Sequence, residues 1–194
     1  SSDLEIKGAQ INFQFNQKNN DAALALARSY QSANPGSAAD MLLATTLDRV
    51  SRPDEAIAVL DKSLSQRPNV GTLMQLSRRL QLSNPARAES LLSEWLAKNP
   101  ADIGVRLDYA NLLMARPNNP QAIAQFQAIL KQDPNNVVAL NNLGWLLQTS
   151  DPKRALSLLT LAQKIAPNSP DVIDTLGWVK LQQKDSAGAL ALLN

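Results

Sequence analysis

The sequence predicts an all-α chain whose helices stack as antiparallel pairs. Three observations lead there. Five prolines recur at a near-constant interval over the whole length. The apolar residues between them follow helical spacing. No stretch shows the alternating β-branched pattern of a strand.

Pro35, Pro68, Pro100, Pro134 and Pro167 lie 33, 32, 34 and 33 residues apart. Each follows an alanine by 12 positions: Ala23, Ala56, Ala88, Ala122 and Ala155, with Ala189 continuing the series. A second small residue stands 11 or 12 positions before the last five of these: Ala44, Ser77, Ala110, Gly144 and Gly177. A large side chain precedes it: Leu43, Leu76, Tyr109, Leu143 and Leu176. A period near 33 is the mark of a repeat architecture.

The elements follow in order. Helices over 3–17 and 20–33 form the first pair; the second contains the alanine-rich run Ala22 to Ala27, and the first lacks a clear large-small pair. The second pair, 37–50 and 53–66, carries Leu43-Ala44 and then Ala56, Ile57, Leu60 and Leu64. In the third, 70–82 and 86–98, Leu73, Leu76 and Leu80 recur at i, i+3 and i+7. The fourth, 102–115 and 120–132, is joined through the turn Arg116-Pro117-Asn-Asn. The fifth, 136–149 and 152–165, carries Leu140, Leu143 and Leu147, then Ala155, Leu156, Leu159 and Ala162. The last pair spans 170–183 and 186–194. Pro53, Pro85, Pro120, Pro152 and Pro170 open helices, where the missing N–H costs nothing. Asn84, Asn119, Asp151 and Ser169 precede four of them as N-caps.

The small residues let paired helices approach. Gly144 is expected to meet Ala155, and Gly177 to meet Ala189. Each pair leaves an apolar face for the next to cover.

Composition narrows the function. Of 194 residues, 44% are apolar and none is cysteine or histidine. Thiolate nucleophiles, zinc–thiolate sites and Ser-His-Asp chemistry are therefore excluded. No cofactor or metal is expected. Nineteen basic and 17 acidic residues give a net charge of +2, with no footprint for nucleic acid. Arg78-Arg79 and Lys153-Arg154 read as solvated helix faces. No segment is apolar enough to span a membrane. The chain starts without methionine and ends inside a periodic pattern, so a fragment of a longer chain is expected.

The arrangement resembles the tetratricopeptide repeat, whose period is 34. Leu143-Gly144, Leu176-Gly177, the second-helix alanines, Asp133-Pro134-Asn135-Asn136 and Ala166-Pro167-Asn168 carry it. The resemblance covers nearly all of one solenoid domain over 1–194: it is degenerate in 1–101 and well formed in 102–194. Tyr30, Ser63, Trp95 and Ile129 stand where the family often has a small alanine, and Trp95 puts the packing of the third pair in question. The family implies a right-handed superhelical solenoid of about six helix pairs, the terminal ones incomplete. A narrower resemblance runs from Asn141-Asn-Leu-Gly-Trp-Leu-Leu-Gln to Asp171-Val-Ile-Asp-Thr-Leu-Gly-Trp178. It is similar to bacterial envelope lipoproteins of PEP-CTERM/exosortase sorting and exopolysaccharide export. That implies a periplasmic location.

The family also implies that first helices line a concave groove. The side chains it would place there are Gln75, Arg78, Asp108, Asn111, Asn141, Asn142, Trp145, Gln148, Asp174 and Trp178. Aromatic surface beside amides suits a peptide or protein partner. The carboxylate clamp of chaperone-binding members needs lysines, and this groove offers one arginine and no lysine. Trp95 reads as structural. An enzyme is not expected: Asp102, Asp108, Asp171 and Asp174 are the candidate carboxylates, and all four read as helix-start acids that favour the dipole. Self-assembly through the last helix is the alternative, motivated by Leu190, Leu192 and Leu193, which would be exposed on an uncapped end, and it would give a homodimer.

Overall fold

A computed structural model describes residues 2–115 and 120–192. Among them are twelve helices and no strand. They run α1 (Ser2–Asn16), α2 (Asn20–Ala33), α3 (Ser37–Arg49), α4 (Pro53–Gln66), α5 (Val70–Ser83) and α6 (Pro85–Lys98). Then follow α7 (Ile103–Met114), α8 (Pro120–Gln132), α9 (Val137–Leu147), α10 (Pro152–Ile165), α11 (Pro170–Gln182) and α12 (Ser186–Leu190). The architecture is the helical-pair solenoid that the proline period predicts. One boundary differs clearly: α12 stops at Leu190 rather than continuing to the end, and Ala191 and Leu192 form a turn. The turn containing Arg116 and Pro117, the cap Asn119, and Leu193 lie outside the described residues.

The helix starts are made by short polar side chains. Asn19, Asn69, Asp102, Asn136, Asp151 and Asp185 each accept a bond from the backbone N–H three residues on, satisfying one otherwise orphaned donor. Asn84 does the same for Arg87 at 3.2 Å. Ser169 does not: its side chain makes no cap bond. Three turns within pairs place a non-glycine residue in the left-handed region: Lys18 (φ 57°), Ser51 (φ 60°) and Lys184 (φ 65°).

The chain divides into two compact units, Ser1–Leu92 and Ser93–Asn194. In the first, Leu47, Leu60, Leu73 and Leu76 are fully buried. Asp40 is buried there too, on α3. It accepts bonds from Gln31 of α2 (2.9 Å) and Arg67 after α4 (2.7 Å). Burial pushes its carboxyl up, but Gln31, the neighbouring Ser63 hydroxyl and the Arg67 guanidinium outweigh this and hold it below the usual carboxylate range. The Ser63 hydroxyl sits beside the carboxylate without a well-formed hydrogen bond.

In the second unit, one cluster joins Ala110, Leu113, Phe126, Ile129, Leu143 and Ala155. Gly144 does make a close contact, but Leu159 is the partner. A β-carbon at Gly144 would stand 2.6 Å from Leu159 Cγ. Gly177 has slack instead: its nearest neighbour would be Leu192 Cδ1 at 4.0 Å. Trp95 is accommodated by a hydrogen bond from its indole N–H to the Asp102 carboxylate, 3.1 Å, which ties the end of α6 to the cap of α7.

Within each unit, first helices of neighbouring pairs touch directly: α1 with α3, α3 with α5, and α9 with α11. The second helices α2, α4, α8 and α10 pack on the helices before and after them. The closely spaced side of each unit is therefore the first-helix side.

Candidate interaction surface

The predicted groove residues fall into two groups. Gln75 and Arg78 lie in the first unit, on α5. The other eight lie in the second, on α7, α9, α11 and the end of α9.

In the first unit, a cleft of about 650 Å³ opens between the C-terminal ends of α3 and α5 and the start of α4. Thr45, Asp48, Ile57, Gln75, Arg78 and Leu82 are among the residues that line it. Arg78 is exposed, whereas its neighbour Arg79 is not the solvated residue that the basic pair suggests. The Arg79 side chain is only 16% exposed and pairs with Asp48 of α3 at 2.5 Å. It also donates to the Gln75 side chain at 3.2 Å, so Gln75 is already engaged. Leu82 is 94% exposed at the rim. Lys153 and Arg154 are both exposed, as a solvated face would be.

In the second unit the helical repeat brings Asn141, Trp145 and Gln148 to one face of α9. It brings Asp174, Trp178 and Leu181 to the equivalent face of α11. Trp145 is 38% exposed and Trp178 48%. The Trp178 indole N–H donates to the Gln148 side chain at 3.0 Å, bridging the two helices. Asn142 donates to Asn111 of α7 at 3.0 Å, and Asn141 donates to Asn142 at 3.3 Å. These bonds form an amide chain across α7 and α9. The Asn141 side-chain oxygen is buried and accepts no hydrogen bond among the described residues. Asp108 is half-buried, with an interaction of its own.

A cleft of about 400 Å³ lies between α9 and α11, lined by Asn141, Asn142, Asp171 and Asp174. Val138, 48% exposed, also lines it, and the sequence reading did not single it out. Its only mark was an aliphatic residue one helical turn before Asn142, on an otherwise polar stripe.

The four candidate carboxylates do not share one site: Asp171 and Asp174 line the α9–α11 cleft, and Asp102 and Asp108 do not. Asp102 caps α7 and is tied to Trp95. Asp108 is in the middle of α7 and not near its start, because the helix begins at Ile103. Of the two acids on α11, only Asp171 is in the first turn. No group of three or more potential metal ligands occurs among the described residues. No helix among them is long and apolar enough to cross a membrane. At the C-terminal end Leu190 is 61% exposed, but Leu192 packs against the cluster of Leu159, Leu176 and Val179, so it is not part of a free apolar face.

Two family models, both described as tetratricopeptide repeat, match residues 11–70 and 79–143, together more than half of the chain. The TPR repeat-containing protein PA4667 of Pseudomonas aeruginosa is 28% identical over 181 residues, 89% of this chain. The chain spans 30% of the length of that curated relative. Among solved structures, a tetratricopeptide repeat protein from Parabacteroides merdae superposes with a TM-score of 0.73 at 16% identity, covering 99% of this chain and 78% of the other. MamA from Desulfovibrio magneticus RS-1 gives 0.67 at 16% identity, over 86% and 90%. YrrB, a TPR protein with an unusual peptide-binding site, gives 0.61 at 21% identity, over 84% and 87%. The period, the helix pairs and these matches agree: the chain belongs to the tetratricopeptide-repeat family.

Proposed function

We propose that this chain is a non-catalytic interaction scaffold that captures a peptide or partner protein on its first-helix surface. One observation carries the reading. Trp145 and Trp178 stand at equivalent places on adjacent first helices, and both rings are well exposed beside amide side chains. Large aromatic surface kept in water is costly unless a partner covers it, and such rings are common binding anchors. The amides suit the main chain of a peptide. That YrrB has a peptide-binding site on a similar fold is consistent with this use.

The test compares capture of partner proteins by the wild-type chain and by a Trp145→Ala, Trp178→Ala variant whose helical circular dichroism is unchanged. The scaffold reading expects the variant to lose its partners. Equal capture by the folded variant would remove it.

The setting we propose is a bacterial envelope system for exopolysaccharide export or protein sorting, on the periplasmic side. Its support is the sequence resemblance through Asn141 to Trp178. Fractionation of the tagged full-length protein tests this: recovery with the envelope supports it, and recovery in the cytosol opposes it.

Self-assembly is the second reading, favoured by Leu181 (51% exposed) and Leu190 near the C-terminal end. Light scattering on a longer chain separates the two: a dimer that persists on extension supports assembly, and one that vanishes does not.

A further inference from the structure

Helix α1 exposes a face that later first helices bury. Ile6 is 57% exposed and Phe13 59%. Ile6 stands 33 residues before Ala39, and Phe13 33 before Thr46, so each pair holds the same place in the repeat. At the place of Ile6, the later first helices bury Ala39, Thr72, Val105, Ala139 and Val172. At the place of Phe13, α3 buries Thr46 and α11 buries Val179.

The second helix of the preceding pair covers these places. Val172 shares a cluster with Ala162 of α10, and Val179 with Leu159 of the same helix. Ala139 clusters with Phe126 and Ile129 of α8. Each covering helix runs antiparallel to the first helix it covers, because a short turn joins the two. On α1 the same face is a helix-docking surface with no helix on it among the described residues.

This face is complementary to itself. Ile6, Ala9, Gln10 and Phe13 are all exposed and follow the spacing i, i+3, i+4, i+7, which reads the same in both directions. A second α1 laid antiparallel sets Ile6 against Phe13 and Ala9 against Gln10. Ala9 is small enough for close approach at the centre. The Gln10 side-chain oxygen already accepts from Lys7 at 2.8 Å, so covering it leaves that oxygen paired. The charges agree. Asp3 and Glu5 lie in the first turn, the last turn has no base, and exposed Lys18 follows it. Neither Glu5 nor Lys18 makes an ion pair among the described residues. Antiparallel packing brings Lys18 of one copy towards Glu5 of the other, whereas parallel packing would set Glu5 beside Glu5.

We infer that two copies of this chain pair through α1 laid antiparallel on α1, each standing where a preceding second helix stands in the later repeats. Such an interface uses one patch twice and closes as a dimer. One helix face falls short of the roughly 1,200 Å² of a standard interface, so the dimer is weak, with a Kd on the order of 10–100 μM. The inference is independent of the scaffold reading, which rests on Trp145 and Trp178, and it uses the opposite end of the chain from assembly through Leu190.

Sedimentation velocity of the 194-residue chain between about 5 and 200 μM tests it. The wild type should pass from monomer to dimer over that range. Phe13→Glu, with unchanged helical circular dichroism, should weaken pairing about tenfold or more, and Leu190→Glu should leave it within about twofold. Glu5→Lys and Lys18→Glu should each weaken it, and the double variant should restore it. The chain has no native cysteine, so Gln10→Cys should cross-link under mild oxidation and Thr160→Cys, exposed on α10, should not. A chain that stays monomeric to about 200 μM overturns the inference and assigns the α1 face to a helix from elsewhere. A dimer that survives Phe13→Glu, or is lost only with Leu190→Glu, also overturns it. So does loss with Phe13→Glu when the charge reversal gives no rescue and Gln10→Cys no cross-link.

Discussion

Replacing Gly144 by alanine probes the closest contact in the second unit. The added carbon would stand 2.6, 3.0 and 3.2 Å from Cγ, Cδ2 and Cδ1 of Leu159. That leucine is fully buried and packs with Leu176 and Val179, so it has little room to retreat. Overpacking of this kind costs about 1–3 kcal/mol. Alanine regains about 1 kcal/mol of helix propensity over glycine. The net expectation is a loss of about 1 kcal/mol, or about 2–4 °C in Tm for a chain of this size. Gly177→Ala is the matched control, because its β-carbon would meet nothing closer than 4.0 Å. It should gain about 0.5–1 kcal/mol from propensity alone. Urea titrations followed by far-ultraviolet circular dichroism measure both. Adding Leu159→Val to Gly144→Ala should cost less than the sum of the single changes, since the shorter side chain relieves the clash. If Gly144→Ala proves as stable as Gly177→Ala, the proposed contact is wrong.

Other perturbations bear on separate parts of the fold. Asp40→Asn removes the charge that meets Arg67 and should cost about 1 kcal/mol at neutral pH, a modest figure because Arg67 is 42% exposed on its side chain. Because the folded-state Asp40 carboxyl is held low, its stabilisation is full above the unfolded carboxylate pKa and disappears as pH falls through the folded value. Wild type should therefore lose more stability than the variant between about pH 5 and pH 2, as read by acid-titrated urea melts. Asp185, lowered by its bonds from Lys180 and the Gly188 N–H, gives both chains a further acid sensitivity of the same sign. Ser51→Gly should raise the melting midpoint by an amount worth about 0.5–1 kcal/mol, since glycine enters the left-handed region without steric cost. Ala155→Leu should lower stability by about 1–3 kcal/mol through overpacking, and an unchanged melting curve would contradict its place in the core.

The helices were legible because proline and alanine report local constraints. Proline marks where backbone donors are unpaired, and Ala23, Ala56, Ala88, Ala122 and Ala155, all at 0% exposure, mark where helices close on each other. What stayed hidden depends on pairing between distant residues or on turns without glycine. Lys18, Ser51 and Lys184 adopt positive φ, yet their side chains give no hint of it. The burial of Asp40 needs Gln31 and Arg67, which only the fold brings to it. Arg79 looked like solvated charge because Asp48, its partner, is 31 residues away. Gly144 and Gly177 occupy the same repeat position, yet only one is tightly packed. That difference lies in whether the facing helix supplies Leu159 or the turn at Leu192. At the candidate surface, the period placed both tryptophans on first helices. The amide chain from Asn141 through Asn142 to Asn111 emerges only from the fold, since its second bond joins residues 31 positions apart.

The chain has three tryptophans, and their indole N–H resonances are the most direct probes of the candidate surface. Titrating a partner captured by the wild-type chain into the labelled protein should shift the Trp145 and Trp178 signals, the latter through its bond to Gln148. The Trp95 signal, held by the Asp102 carboxylate at the cap of α7, should stay in place. Shifts confined to Trp95, or equal shifts at all three, would contradict a first-helix binding surface.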